Sequence, residues 1–274
     1  MAVFRKHLTD YFPKDGNQHS SRNPSDSPAT EFLSQVVFVS DSVIHCNRRF
    51  TRKKDKTFTK DSSDSYQSIV TSSFALMMSH FETFQRQQFA EILNILDFLS
   101  SDDDLTLAKR LEKAGCNLSI YRLLGGRGNP REPGHIISDA LGGWHDPEKV
   151  NRFFSLVFPE HCFYSNELAS EIHLMWQIRH SIVHTGGIVT REDCMKHPML
   201  KGYWDTKLVF DEGFILAVAR RLHIIIQICL DGLRSQVEQS FSKSEGVDDI
   251  PSFIDSICGY TSPRPSWFKN TKAN

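Results

Sequence analysis

A mainly α-helical bundle is the fold this sequence predicts, and three stretches carry that expectation. Between Asp64 and about residue 100, Ile69, Val70, Phe74, Met77, Met78, Phe81, Phe84, Phe89, Ile92 and Leu93 recur at steps of three and four, as one buried helical face requires. Leu168, Ile172, Met175, Ile182 and Val183 repeat the pattern over about 165–185. Phe214, Ile215, Val218, Leu222, Ile225, Ile226, Cys229, Leu230 and Leu233 do so over about 212–242. Helices that apolar on one side must pack against each other, so a bundle follows.

The connecting elements are read in order. Residues 1–62 form a polar N-terminal arm, interrupted by Pro13, Pro24 and Pro28. Within it Val36, Val37, Phe38 and Val39 suggest a short strand over Phe32–Ile44, giving the bundle a small β or irregular extension. Asp61 to Asp64 offer caps for the first long helix. Shorter helices fit 104–114, 117–124, 135–142 and 147–158, the last behind Asp146 and Pro147, an N-cap and first-turn pair. Leu208–Phe210 reads as a second short strand. The helical domain is expected over 63–243, and 244–274 as a peripheral tail with one short helix near 250–258.

Composition bounds the function. The chain has 274 residues, 39% hydrophobic and 24% charged, with a formal net charge of -1. No global field draws it to nucleic acid or to a membrane, so any such attraction is local. No uninterrupted apolar run reaches the roughly 20 residues of a membrane span, and the first residues lack a secretory signal's apolar core. The six cysteines (46, 116, 162, 194, 229, 258) are scattered without a CxxC pair, as in a reduced, cytoplasmic protein.

Two local features invite phosphate chemistry. Arg48, Arg49, Arg52, Lys53 and Lys54 form a basic segment with Phe50 and Phe58 interleaved. It reads either as an RNA-binding strip with aromatics for base stacking or as a solvated connector. The glycine-rich 125–134 stretch lacks the Gly-Lys-Ser/Thr of a phosphate loop and reads as a connection bearing Arg127 and Arg131.

The 165–185 helix carries the strongest chemistry. Arg179 falls within its apolar stripe, and a guanidinium there is costly unless it is paired or serves a ligand. Thr185, Gly186 and Gly187 supply a left-handed C-cap. His184 then sits in the last turn, where the helix dipole favours an imidazolium. Two readings follow. Glu82 on the first long helix pairs with Arg179 as a core ion pair, or Arg179 and His184 serve a phosphodiester. His173, His180 and His184 share one side of the helix, but the glutamate of a zinc-type His-Glu-x-x-His is replaced by Ser181. No metal or other cofactor is expected. RNA carries its own nucleophile, so a histidine moving protons and an arginine neutralising the phosphate suffice for cleavage. Positions five apart on one helix lie about 140° apart around it and about 7.5 Å along it. Both groups reach one phosphate if Arg179 bends round, if the helix end distorts, or if a second copy supplies the complement.

Arg179 and His184 with their four intervening residues, followed by Thr185-Gly186-Gly187-Ile188-Val189, resemble the Arg-x4-His signature of the HEPN superfamily. Ser79-His80-Phe81-Glu82 on the first long helix and the closing helix after Asp211 resemble that family's layout. The resemblance covers about 63–240. It implies a HEPN-like bundle and a metal-independent endoribonuclease. Such an enzyme acts as a homodimer on RNA, leaves 2′,3′-cyclic phosphate ends, and often serves as a toxin or antiviral-defence effector. An antitoxin or defence-system partner is implied with it. Arg179 and His184 match the catalytic positions, His180 the assisting one, and Glu82 loosely a supporting one. Relatives that have lost activity serve as dimerisation or partner-binding modules, which is the alternative function. Members silenced by AMPylation carry a tyrosine two residues after the histidine; Gly186 stands there instead, so that mode of control does not carry over.

Overall fold

The computed structural model describes residues 27–95, 104–118, 133–241 and 250–268, and these are mostly helical with almost no strand. Four long helices dominate: α1 (Pro28–Arg49), α2 (Lys60–Asn94), α6 (Asn166–Thr185) and α8 (Glu212–Phe241). Between them lie α3 (Asp104–Lys113), α4 (Pro133–Ala140), α5 (Pro147–Val157) and α7 (Arg191–Lys196), with a 3-10 turn at Pro198–Tyr203 and α9 (Ile250–Cys258) near the end. The mainly α bundle is therefore as the sequence predicts. The expected helix at 117–124 and the glycine-rich loop fall mostly outside the described residues.

Side-chain contacts fix the directions of the long helices. Phe32 of α1 meets Phe81 and Phe84 of α2, while Phe50 beyond the other end of α1 meets Tyr66. These two helices are thus antiparallel. Phe81 also meets Tyr164 just before α6, whereas Ser63 to Thr71 share a groove with Ile182 and Gly186 at its far end. Hence α2 and α6 are antiparallel as well. Glu171 accepts two hydrogen bonds from Arg221, at 2.6 and 2.5 Å, and binds α6 to α8. Gln67 bonds the backbone of Phe210 and Phe74 meets Phe214, so α8 runs parallel to α2. One end of the bundle accordingly gathers the C-termini of α1 and α6 and the N-termini of α2 and α8.

Three expectations are corrected. The segment predicted as a strand is helix α1, begun by Ser27 as N-cap with Pro28 in its first turn. Phe32, Leu33, Val36, Val39 and Val43 are buried at helical spacing in the main core, and burial outweighs the β preference of a valine run. Residues 28–62 are thus part of the bundle. The tail is not peripheral either. Ile254, Ile257 and Cys258 of α9 are core residues, and His223 on α8 is enclosed by Trp267 and Phe268. At 207–210 there is no strand, only an isolated bridge between Ile188 and Lys207. Glu212–Ser240 is long and apolar enough to cross a membrane, but here Ile215, Leu222, Ile225, Ile226 and Leu230 lie in the core.

Candidate functional site

Helix α6 begins at Ser165, whose hydroxyl caps the amide of Leu168, and ends at Gly186 in the left-handed conformation (φ 64°). The amide of Gly187 donates to the carbonyl of Ser181 at 2.9 Å, closing the end as the sequence predicts. Apart from its own and its chain neighbours' atoms, nothing lies within 4 Å of where a Cβ on Gly186 would sit. The α-helix runs through His184 to Thr185, so a distorted helix end does not bring Arg179 and His184 together.

The sides of α6 have separate partners. Leu168, Ile172 and Met175 are buried in the main core. Val183, expected with them, is 48% exposed, being rotated about 100° from Ile182. Leu174 and Ile178 pack on a second small cluster of Val189, Cys194 and Leu200. Gln177 and Ser181 turn to the buried carboxylate of Asp193. Asp193 also accepts from the amide and hydroxyl of Thr190 at 2.7 and 2.8 Å, completing a capping box for α7. Burial alone would raise its pKa, but the bonds from Thr190, Ser181 and Gln177 together hold it below the ordinary 3.8.

His180 and His184 remain on the exposed side, with ring centroids 4.6 Å apart. His173 does not join them; it faces His197, with centroids 5.8 Å apart. Burial first, and then the neighbouring His197, lower its pKa. Among the described residues no three His, Cys, Asp or Glu side chains gather as a metal-binding group.

Arg179 is half-buried, and its Nε has no hydrogen-bond partner. The ion pair with Glu82 does not form. Glu82 accepts from Arg86 at 3.0 Å, one turn away on its own helix, and Arg86 also lies 3.6 Å from Asp139. The reason is register: Glu82 adjoins Phe81, level with Tyr164, and fifteen residues of α6 separate that level from Arg179 by about 22 Å. The supporting role expected for Glu82 falls with it. Helical spacing instead puts Arg179 on the same side as Ile182 and Gly186. Those two residues line a groove of about 680 Å³ with Ser63, Gln67, Thr71 and Lys207.

The basic segment is a small turn at the same end of the bundle. Arg52 bridges Phe58, and the amide of Lys53 donates to Thr57 at 2.7 Å. Arg52 lies 4.1 Å over the Phe58 ring and donates to Asn47 and to the Lys56 carbonyl. Phe50 and Phe58 pack on Tyr66, with centroids 6.1 and 5.1 Å away, so neither is free to stack on a base. Arg48, Arg49, Lys53 and Lys54 are exposed. The segment thus keeps its surface cations and loses its aromatics to structure.

The sequence reading does not single out Asp193, Gln177 or Ser181. The capping-box pattern from Thr190 to Asp193 was the available signal. No protein-family model matches this chain, and no curated protein or solved structure matches it.

Proposed function

We propose that the chain is a metal-independent endoribonuclease that works as a homodimer. The observation carrying this reading is the state of Arg179: a half-buried guanidinium with an unpartnered Nε, on the last turns of a helix that exposes His180 and His184. Burying a cation without a partner is destabilising, and a phosphate offers two oxygens that a guanidinium fork can bind together.

In the reaction the ribose 2′-oxygen attacks phosphorus and the bond to the 5′-oxygen breaks, leaving a 2′,3′-cyclic phosphate. His184 takes the proton from the hydroxyl or supplies one to the departing oxygen, and His180 assists that transfer. Arg179 orients the phosphate and offsets the charge that builds on its oxygens. Because α6 is regular, the two groups of one chain diverge; a two-fold partner brings Arg179 of one copy towards His184 of the other. Arg48, Arg49, Lys53 and Lys54 add sequence-independent attraction for the RNA backbone at the same end of the bundle. A role as a toxin or antiviral-defence effector in the cytoplasm, restrained by a protein partner, would suit such an activity.

The test is cleavage of RNA in EDTA by wild type, Arg179→Ala and His184→Ala. Each substitution should reduce the rate by about a hundredfold or more, the usual consequence of removing one transition-state contact. Activity that survives both substitutions removes the site. Intact dimers that never cut RNA would leave a non-catalytic binding module.

A further inference from the structure

The chain leaving α6 exposes an unusual concentration of large side chains. Met195, Met199, Tyr203, Trp204 and Val209 are each more than half exposed. Of the four tryptophans, Trp144 and Trp176 are buried, Trp267 packs on His223, and Trp204 stands 64% exposed. Its backbone is nonetheless held. The amide of Asp205 donates to the Val189 carbonyl at 2.9 Å, that of Val189 to Thr206 at 3.1 Å, and that of Leu208 to Gly187 at 2.8 Å. Asp205 takes a left-handed conformation (φ 57°) to make the turn. Trp204 is thus fixed against the segment that follows His184 directly.

Two lysines flank Trp204, with the exposed carboxylate of Asp205 beside it in the turn. Lys201 lies three residues before Trp204, in the 3-10 turn that Trp204 ends. Lys207 follows on the other arm of the turn, at the rim of the groove shared with Ile182. No carboxylate pairs with either lysine among the described residues, whereas Lys196 is held by Glu192 at 2.7 Å. Nearby Asp193 is buried and fully engaged. Exposed aromatics bracketed by unpaired lysines match the requirements of an unpaired nucleic-acid strand, in which every base offers a face and every linkage a charge. A protein-docking core would be depleted of lysine, and a duplex keeps its base faces stacked away.

We propose that Tyr203 and Trp204 form a stacking platform for unpaired RNA, with Lys201 and Lys207 at the adjoining phosphates. This rests on the ribonuclease reading and adds its substrate class: single-stranded regions, with bases near the scissile linkage held on the platform.

The test uses the full chain and a 2′-O-methyl oligouridylate, which lacks the attacking hydroxyl and stays uncut. Binding is read from the anisotropy of a fluorophore on the oligonucleotide, so that variants lacking Trp204 are measured in the same way. Trp204→Ala should weaken binding about tenfold, the size of one stacked base, while Trp204→Phe restores most of it and a blunt duplex binds equally to all three. Equal oligouridylate affinity for wild type and Trp204→Ala overturns the platform, even if RNA cleavage stands. Trp204-dependent binding by a chain that never cuts RNA keeps the platform and removes the ribonuclease. Sedimentation in which Trp204→Ala dissociates a dimer assigns the surface to a second copy and overturns the proposal.

Discussion

Asp193 accepts a hydrogen bond from Ser181 at 3.1 Å in a buried position, and that bond ties α7 to the stretch of α6 between Arg179 and His184. The same carboxylate serves Gln177 and Thr190. Asp193→Ala should therefore strand four donors, from Gln177, Ser181 and Thr190, and remove a cap at once, destabilising the fold by about 2–4 kcal/mol. Asp193→Asn should cost less, because one oxygen still accepts. Urea unfolding of the two variants measures the difference; equal costs would mean that the charge, not the hydrogen bonding, dominates. The depressed pKa makes the sign of the acid response definite. The contribution of Asp193 is complete above pH 3.8 and is lost as pH falls through its lower folded value.

Arg179 should behave as a residue kept at a cost to stability. With no hydrogen-bond partner at its Nε and most of its surface buried, Arg179→Leu should raise stability by about 0.5–2 kcal/mol while abolishing RNA cleavage. Thermal unfolding beside a cleavage assay separates the two effects. A variant that loses both stability and activity would mark Arg179 as structural.

Gly186 and Gly187 both have positive φ, 64° and 87°, and neither would clash with an added Cβ. Alanine at Gly186 should then carry only the backbone penalty of a left-handed L-residue, about 1–2 kcal/mol. Asparagine should carry less. A much larger loss of stability for alanine would point to packing not visible around the cap.

His223 should make the protein acid-labile. Burial holds its pKa below the ordinary 6.5, outweighing its bond to the Ala219 carbonyl, which favours the charged form. The unfolded chain therefore binds a proton that the native one resists, and stability falls as pH drops below 6.5. His80, His161 and His173 shift in the same direction, burial being the first cause in each. His223→Asn should shrink the slope of unfolding free energy against pH in this range without removing it. An unchanged slope refutes the assignment.

How much of this could be read in the sequence depends on whether local pattern or tertiary register decides. The boundaries and glycine cap of α6, the Asp146–Pro147 start of α5 and the long α8 are local, and were legible. Helix α1 was also written locally, in Ser27, Pro28 and the three-to-four spacing of Phe32, Val36, Val39 and Val43, but the consecutive valines pointed to a strand. The fate of Glu82 was not legible at all. Only the antiparallel register of α2 on α6 shows that it lies some turns from Arg179, and the sequence alone left ion pair and phosphate site equally open. The burial of the tail around His223 is likewise a tertiary fact, since Trp267 and Phe268 carry no spacing that marks them as core.

The dimer proposed for the active site makes one further prediction that does not depend on absolute rates. If Arg179 of one copy acts with His184 of the other, then mixing Arg179→Ala with His184→Ala should restore activity. In a mixed dimer, one cleft receives both substitutions and the other receives neither. Random exchange makes about half of the dimers mixed, each with one intact cleft of two, so activity should recover to about a quarter of wild type. If Arg179 and His184 of a single copy act together, every cleft in the mixture carries one substitution and no activity returns. Refolding the two variants together from denaturant, beside each alone, distinguishes the cases. Recovery in the mixture, with none in either variant alone, requires that the two side chains meet across the symmetry axis.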